Sequence, residues 1–260
     1  MITFYDIPCV DGPRPFSSNT LKTRFSLNYK GLPFETEWIE YCDMEALYQK
    51  FALAPARIDP DGRAVHSLPL IKDNSSGQDV FVADSLEIAK YLDKTYPDTP
   101  RLIPISEDGK DIAAQFQAFE IDWFMNHALS FAPVLFKEVQ SVLSQRGWDF
   151  FKVVRAVNVN AVRPDRPISN LDELELSAEE KKEAWSKFKA SFDFLDDKFG
   201  GKGNLTWYFG DDISFADFMV AGLLVCVKIV VGENSDDWKE ILALNDGKWK
   251  LFLERLEKYL

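Results

Sequence analysis

Residues Ser17 to Thr20 form a cluster of hydroxyl and amide side chains whose types and spacing suit anion binding. The cluster follows a short apolar strand and a loop rich in proline and glycine, and it precedes an amphipathic segment from Leu21 to Lys30. This order predicts that Ser17 lies at the N-terminus of a helix, where unpaired N–H groups carry a partial positive charge. Such a position favours a thiolate or a carboxylate, so the cluster is a candidate anion site.

The same four residues have a simpler interpretation as a helix cap. Serine, asparagine and threonine are preferred at helix N-termini because their side chains accept hydrogen bonds from the first free N–H groups. The tetrapeptide alone favours capping. A role in anion binding therefore needs support from residues elsewhere in the chain.

The other reactive side chains form no catalytic or metal-binding pattern. The three cysteines, Cys9, Cys42 and Cys226, are widely spaced and lack the C-x-x-C spacing of a zinc site or a dithiol pair. The two histidines are isolated in the sequence, so we predict no bound metal. Cys9 precedes the predicted helix by too many residues to be activated by its N-terminus.

Charge and hydropathy exclude several classes of protein. The 260 residues carry a formal net charge of −12, whereas a nucleic-acid-binding protein needs a basic surface. No apolar run is long enough to span a membrane, and the N-terminus lacks the pattern of a signal peptide. We therefore predict a cytoplasmic protein that binds neither nucleic acid nor membrane. A basic pocket for a small acidic ligand could come from Lys22, Arg24, Lys30 and Lys72.

Strand and helix patterns alternate in the first hundred residues. The segments from Ile2 to Tyr5 and from Phe34 to Ile39 are typical of strands, and the first helix lies between them. This order predicts a parallel βαβ unit with a right-handed crossover. A second helix at Tyr41 to Phe51 and a pair of strands follow. Asp84 and Glu87 then have the spacing of a capping box at the start of a third helix.

The rest of the chain shows helical periodicity without strand alternation. Apolar residues follow one helical face from Ile112 to Val139, and another helix is predicted from Ala178 to Gly200. Ser214 and Asp217 have the spacing of a capping box before an apolar helix, and a final helix covers Lys248 to Leu260. We predict an α/β domain over residues 1–97, a linker over 98–110 and an all-α domain over 111–260.

Three motifs of the first domain together resemble the cytosolic glutathione transferases. The segment from Ser17 to Leu32 resembles the first helix of that family, Leu68-Pro69 resembles its cis-proline, and Asp84-Ser85 resembles its acidic-serine pair. Each motif is weak alone, but all three occur in the order of the family. The resemblance implies a thioredoxin-like domain followed by an all-helical domain, which is the glutathione transferase fold.

The resemblance gives the hydroxyl cluster a chemical role. Ser17 occupies the position at which cysteine-bearing relatives carry their reactive cysteine, so the resemblance implies that Ser17 stabilises the thiolate of glutathione. Ser18 and Asn19 are the alternative donors. A serine here favours glutathione conjugation over thiol–disulfide reduction, which needs a cysteine.

The other motifs imply the rest of a glutathione site. By resemblance, the backbone at Leu68-Pro69 pairs with the cysteinyl residue of glutathione, and Asp84-Ser85 holds its γ-glutamyl end. Phe16, beside the catalytic candidate, and Trp123, on the long helical face, are the candidates for an apolar co-substrate pocket. The family also implies a homodimer, although no periodicity in the sequence identifies an interface.

A finer resemblance concerns the subgroup. The segments from Phe4 to Pro8, from Asn19 to Tyr41 and from Tyr91 to Pro104 resemble the fungal, etherase-related glutathione transferases, which are similar to bacterial lignin β-etherases. This resemblance implies attack of the glutathione thiolate on an aromatic electrophile, by conjugation or by β-aryl ether cleavage. The alternative is a non-catalytic, ligandin-type carrier of aromatic compounds on the same fold.

Overall fold

The computed structural model describes residues 1–59, 62–106, 109, 112–201 and 206–260. Its N-terminal domain packs a small sheet against helices. The strands are β1 (Ile2–Asp6), β2 (Pro8–Cys9), β3 (Gly12–Pro15), β4 (Phe34–Trp38), β5 (Arg57–Ile58), β6 (Ala64–Val65), β7 (Leu70–Asp73) and β8 (Val80–Ala83). The helices of this domain are α1 (Ser18–Tyr29), α2 (Met44–Lys50) and α3 (Ser85–Thr95), with a 3-10 turn at Tyr41–Asp43 before α2.

The main sheet has the strand order β4-β1-β7-β8. β4 pairs in parallel with β1, with Phe4 opposite Thr36, whereas β7 runs antiparallel to both β1 and β8. A parallel βαβ unit followed by an antiparallel hairpin is the thioredoxin-like arrangement. The predicted fold of this domain is therefore confirmed.

Burial follows the position of each strand in the sheet. β1 has a neighbour on each side, and its Ile2, Phe4 and Tyr5 are buried. β4 is an edge strand whose Glu35 and Glu37 are exposed, and charged side chains at an edge discourage pairing with another chain. The loop predicted before Ser17 contains a short antiparallel pair, β2 with β3, and a second short pair joins β5 and β6.

The C-terminal domain is helical, as predicted. Its helices are α4 (Ala113–Glu120), a π-helix (Ile121–Ala128), α5 (Ala132–Glu138), α6 (Gln145–Val162), α7 (Ala178–Lys198), α8 (Phe215–Val231) and α9 (Asp236–Leu256). Its described residues also form 3-10 turns at Leu129–Phe131, Val139–Val142, Leu171–Glu173 and Glu257–Tyr259. The predicted domain limits at residues 110 and 111 lie outside the described residues, so these limits stay predictions.

Three helices of this domain differ from the sequence-based expectation. The segment from Ile112 to Val139 is helical but irregular, because α4 widens into the π-helix and Pro133 begins a new helix at α5. α6 was not among the predicted helices, since Gly147 and several β-branched valines lower its helix propensity. The sequence pattern missed the helical segment that begins at Asp236, but non-helical backbone at Leu244 to Gly247 separates it from the final segment, which begins at Lys248 as predicted.

α8 is buried on nearly all sides, as its apolar composition predicts. The expected box at its start is present, since Asp217 accepts hydrogen bonds from the backbone N–H and the hydroxyl of Ser214 at 2.7 and 2.8 Å. Burial raises the pKa of Asp217 to about 6, and hydrogen bonds from Tyr208 and Ser214 oppose the rise. Across the described ranges, no helix combines the length and apolar character needed to cross a membrane.

Packing of α8 along α1 joins the two domains. A Cβ atom added at Gly222 would lie only 2.7 Å from the carbonyl oxygen of Ser18 and 3.5 Å from the Cβ of Leu21. The absence of a side chain at this position therefore lets α8 approach the first turn of α1 closely. Farther along, the rings of Phe25 and Phe218 stack with centroids 5.5 Å apart. The helical domain thus fixes the end of α1 that follows Ser17.

Candidate active site

Ser17 is the N-cap residue of α1, but its side chain does not cap the helix. Its backbone is extended, and its carbonyl accepts hydrogen bonds from the N–H of Leu21 at 2.9 Å and the hydroxyl of Thr20 at 3.2 Å. The Ser17 side chain makes no capping hydrogen bond, and the residue is 7% exposed. The hydroxyl is therefore available to a ligand, and a purely capping role for it is wrong.

A cavity of about 480 Å³ lies between the sheet domain and the helical domain. Six of the seven residues predicted to activate or bind glutathione line it. They are Ser17, Asn19, Leu68, Pro69, Asp84 and Ser85. Three motifs that are far apart in the sequence thus meet on one surface.

A backbone hydrogen bond connects the second and third motifs. The Leu68–Pro69 peptide bond is cis, and the carbonyl of Pro69 accepts the N–H of Asp84 at 3.2 Å, continuing the ladder between β7 and β8. Asp84 has a φ of 77°, a backbone conformation that non-glycine residues rarely adopt and that is often found at functional sites. The ladder therefore holds both motifs at fixed positions beside the cavity.

Asp84 caps α3 with one of its two carboxylate oxygens. Its Oδ1 accepts from the N–H of Leu86 at 2.8 Å and of Glu87 at 3.1 Å. The reciprocal bond of the predicted capping box is absent in this described helix, because Glu87 pairs with Lys90 at 2.7 Å instead. The Oδ2 of Asp84 makes no hydrogen bond within the described chain. Neither the hydroxyl of Ser85 nor the backbone of Leu68 has a described partner.

A second cavity of about 300 Å³ adjoins the first. Phe16 and Trp123, the two residues predicted for a co-substrate pocket, both line it. Ser18 also faces this second cavity and not the first, which separates it from the other predicted glutathione contacts. Cys226 also lines the second cavity. Burial raises the pKa of its thiol to about 12, so the thiol stays protonated near neutral pH.

The two cavities share one wall, which includes Ser17. The residues that line both are Ser17, Asn19, Lys22, Tyr41, Glu120, Arg155, Asn158 and Met219. A group bound at the Ser17 hydroxyl would therefore be accessible from either cavity.

Tyr41 and Arg155 belong to this wall, although the sequence did not single them out. Burial raises the pKa of Tyr41, and interactions with the Arg155 guanidinium and the Ser17 hydroxyl oppose the rise. The guanidinium carbon of Arg155 lies 5.7 Å from the ring centroid of Phe136 and 5.4 Å from that of Phe151. No local motif marks either residue. A prediction of helix α6 could have located Arg155, but the low helix propensity of that segment hides the helix.

The four lysine and arginine residues proposed for a basic pocket all form ion pairs. The pairs are Lys22–Glu120, Arg24–Asp6, Lys30–Asp93 and Lys72–Asp79. Of the four cations, Lys22 lines the cavities and the other three do not. The expected basic pocket is therefore wrong for those three, which instead stabilise the fold.

One group of possible metal ligands occurs among the described residues. Glu40, Cys42 and Asp43 lie close together outside both cavities. Arg146 pairs with Asp43 at 2.8 Å, and Ser144 donates to Glu40 at 2.9 Å. These contacts account for the cluster without an ion. The prediction that no metal takes part in the site stays a prediction.

Comparison with known proteins assigns both domains. Residues 16–95 match the family described as glutathione S-transferase, N-terminal domain, and residues 114–259 match glutathione S-transferase, C-terminal domain. The chain belongs to the glutathione S-transferase family. The cavity between the domains of this glutathione S-transferase thus lies among the matched residues.

Solved and curated family members extend the match to almost the whole chain. The glutathione S-transferase CsGST63524 of Ceriporiopsis subvermispora, solved in complex with glutathione, is 35% identical with a TM-score of 0.85, covering 99% of this chain and 97% of that chain. The glutathione transferase GSTFuA3 from Phanerochaete chrysosporium is 32% identical with a TM-score of 0.83, covering 100% and 97%. The glutathione S-transferase-like protein ustS of Aspergillus flavus is 28% identical over 248 residues, covering 91% of this chain and 82% of that protein.

Proposed function

We propose that the chain is a glutathione transferase in which the Ser17 hydroxyl donates a hydrogen bond to the glutathione thiolate. The observation that carries this proposal is that the Ser17 hydroxyl makes no capping hydrogen bond, although Ser17 lies at the N-terminus of α1 and on the wall shared by the two cavities. A free thiol has a pKa of about 8.5, and a hydrogen-bond donor together with the positive end of a helix favours its ionised form. Serine supplies this interaction while its own hydroxyl stays protonated.

Glutathione extends along the first cavity in this proposal. Its γ-glutamyl carboxylate lies at the N-terminus of α3 and accepts from Ser85, where the helix end favours an anion. Its ammonium binds Oδ2 of Asp84, because Oδ1 already accepts two capping bonds. The free backbone of Leu68 pairs with the cysteinyl residue, and the sulfur reaches Ser17 and Asn19. Binding of glutathione to the similar enzyme CsGST63524 supports this placement.

The second cavity holds an apolar, aromatic co-substrate. The thiolate attacks an electrophilic carbon, a carbon–sulfur bond forms, and the electrons of the broken bond depart with the leaving group. We assign the chain to the etherase-related subgroup, so the reaction is β-aryl ether cleavage, with an aryloxide leaving, or conjugation of another electrophile. Phe16 and Trp123 support this assignment because aromatic walls suit an aromatic substrate. Glutathione is the co-substrate, and no step needs a metal.

The thiolate absorbance of bound glutathione tests the role of Ser17. In the wild type, we expect the pKa of the bound thiol to lie about one to two units below its free value. Ser17→Ala should return the pKa toward that value and lower kcat/KM for a small aromatic electrophile by roughly 100-fold or more. Ser18→Ala and Asn19→Ala, measured alongside, identify the donor if it is not Ser17.

Ser26→Ala is the matched control for Ser17→Ala. Ser26 lies on the same helix, but its hydroxyl donates to the carbonyl of Lys22 at 2.7 Å and faces neither cavity. It should leave the thiol pKa unchanged. Glutathione binding with an unshifted thiol pKa in the wild type would refute thiolate activation and favour the carrier alternative.

We further propose a cytoplasmic homodimer, as the family resemblance implies. Each chain would consist of a thioredoxin-like glutathione-binding domain (1–97), a linker (98–110) and a helical domain (111–260) that forms the co-substrate pocket. Neither nucleic acid nor a membrane is a partner in this proposal.

A further inference from the structure

Arg155 is a partly buried cation without an anionic partner in the described chain. Its Nε atom is buried and makes no hydrogen bond, and among the described residues no carboxylate forms an ion pair with the guanidinium. The other buried cations behave differently. Lys22, Lys30 and Lys248 each pair with an aspartate or glutamate at 2.7 Å or less.

The described contacts of the Arg155 guanidinium are with neutral groups. The rings of Phe136 and Phe151 face its guanidinium, and Tyr41 interacts with it as a neutral phenol. Cation–π contacts stabilise a guanidinium by about 0.5–2 kcal/mol but leave its charge uncompensated. A charge withdrawn from water is costly unless an opposite charge pairs with it, so the position favours an anion from outside the chain.

The second cavity supplies the space for that anion. Phe136 and Phe151 line the second cavity and not the first, whereas Arg155 reaches both. Glu120 is the acidic residue in the shared wall, but its carboxylate pairs with Lys22 at 2.7 Å. Because Lys22 and Glu120 neutralise each other, Arg155 gives the wall shared by the two cavities a net charge of +1 among its described residues. This is notable because the whole protein carries −12.

We propose that Arg155 binds a carboxylate on the aromatic co-substrate, so that the second cavity selects aromatic acids over neutral aromatic compounds. This inference rests on the proposed function, which places the co-substrate in that cavity. The unpaired Nε belongs to the planar fork of donors that can hold a carboxylate through two parallel hydrogen bonds. Asn158, three residues later on the same face of α6, lines both cavities and can donate its amide to the same group.

Isothermal titration with naphthoate and its neutral isostere naphthamide tests the selection. Wild type saturated with glutathione should bind naphthoate at least about 10-fold more tightly than naphthamide, a difference of roughly 1.4 kcal/mol. Arg155→Gln should remove the preference, and Arg155→Lys should keep part of it. Lys250→Gln is the control, because it removes an exposed positive charge on α9 that lines neither cavity.

Several outcomes would overturn the proposal. Equal affinity of the wild type for the two ligands does so without any variant, and so does an unchanged preference in Arg155→Gln. A preference for naphthoate that vanishes when glutathione is bound would assign the cation to glutathione instead. If Arg155→Gln does not give the wild-type circular dichroism and cooperative melting, Arg155→Lys decides by whether naphthoate is still preferred.

The Ser17→Ala variant separates this inference from the proposed function. Its preference for naphthoate should equal that of the wild type, because the binding measurement needs no thiolate. Failure of thiolate activation with retained acid preference would refute the role of Ser17 alone. Loss of acid preference with normal thiolate activation would refute the role of Arg155 alone.

Discussion

The hydroxyl of Ser85 shows how a helix cap and a ligand site share one position. Asp84 satisfies the N–H groups of Leu86 and Glu87, so the cap does not require Ser85. The Ser85 side chain is buried, faces the first cavity and has no partner in the described structure. It is therefore free to donate to an anion at the start of α3.

We expect Ser85→Ala to weaken glutathione binding without impairing the chemical step. A hydrogen bond to a charged group contributes about 1.5–3 kcal/mol, so the glutathione KM should rise by roughly 10-fold or more. Steady-state kinetics with varied glutathione should show this rise at nearly constant kcat. Ser76→Ala is the matched control, because Ser76 is exposed in the turn between β7 and β8. A drop in kcat at unchanged KM would contradict the assigned role.

The sequence indicated those site residues that belong to local motifs. Ser17, Leu68-Pro69 and Asp84-Ser85 each follow or precede a recognisable strand or helix, and the order of the motifs predicted that they meet. Arg155 could not be found in this way, because Tyr41 and Phe136 reach it from other elements of the fold and because its importance lies in the lack of a described anionic partner. An unpaired charge is a property of the folded chain that spacing along the sequence does not reveal.

Helix α1 depends on α8 for the position of its first turn. The carbonyl of Ser18 points at the backbone of Gly222, and no side chain fits between them. The position of the Ser17 hydroxyl is thus set by a helix of the other domain.

Gly222→Ala should separate these two helices slightly. The added methyl group would lie 2.7 Å from a backbone oxygen, which cannot rotate away. We expect a loss of about 1–3 kcal/mol in the free energy of unfolding, despite the higher helix propensity of alanine, and a lower kcat/KM. Urea unfolding and kinetics measure the two effects.

Gly147→Ala is the comparison for Gly222→Ala. Gly147 is also helical, but the nearest atom to an added Cβ is the side-chain oxygen of Ser144 at 3.3 Å. That hydroxyl caps α6 and donates to Glu40, but it needs to shift by only a few tenths of an ångström, so the change should be smaller than for Gly222→Ala and should leave activity intact. If both variants lose activity equally, the close approach of α1 and α8 is not what positions Ser17.

Elements with strong periodicity were predicted, and elements shaped by tertiary packing were not. The main sheet, α3, α7 and α8 have clear apolar patterns, and these three helices begin at side-chain caps. The π-helix that carries Trp123 has no signature in sequence, because the wider turn depends on how this segment packs against α4 and α7. The small pairs β2–β3 and β5–β6 are likewise too short for an alternating pattern.

At the scale of the whole molecule, α6 carries an exposed apolar stripe of Phe150, Val153 and Val157 at helical spacing. Phe150 and Val157 border the first cavity, whereas Val153 lines neither cavity. Apolar stripes of this kind on a folded surface often mark contacts between chains. Val153, the stripe residue outside both cavities, gives the proposed homodimer a location that the sequence pattern did not.

Val153→Asp tests this location, because Val153 lines neither cavity. A buried, unpaired carboxylate at the interface should weaken dimerisation by roughly 10-fold or more. Light scattering after size exclusion, over a range of protein concentrations, measures the change. Leu251→Asp alters an exposed apolar residue on α9 and should have no effect. A wild type that is monomeric at every concentration would refute the dimer.

The close approach at Gly222 also constrains recombination between relatives. A chimaera that joins the sheet domain of this chain to the helical domain of another family member brings a new α8 against the old α1. Only an α8 helix with glycine facing the Ser18 carbonyl can restore the close contact between α1 and α8. Exchange of helical domains to change co-substrate preference should therefore succeed when the incoming domain has that glycine. A helical domain without it should need a glycine introduced at this single position.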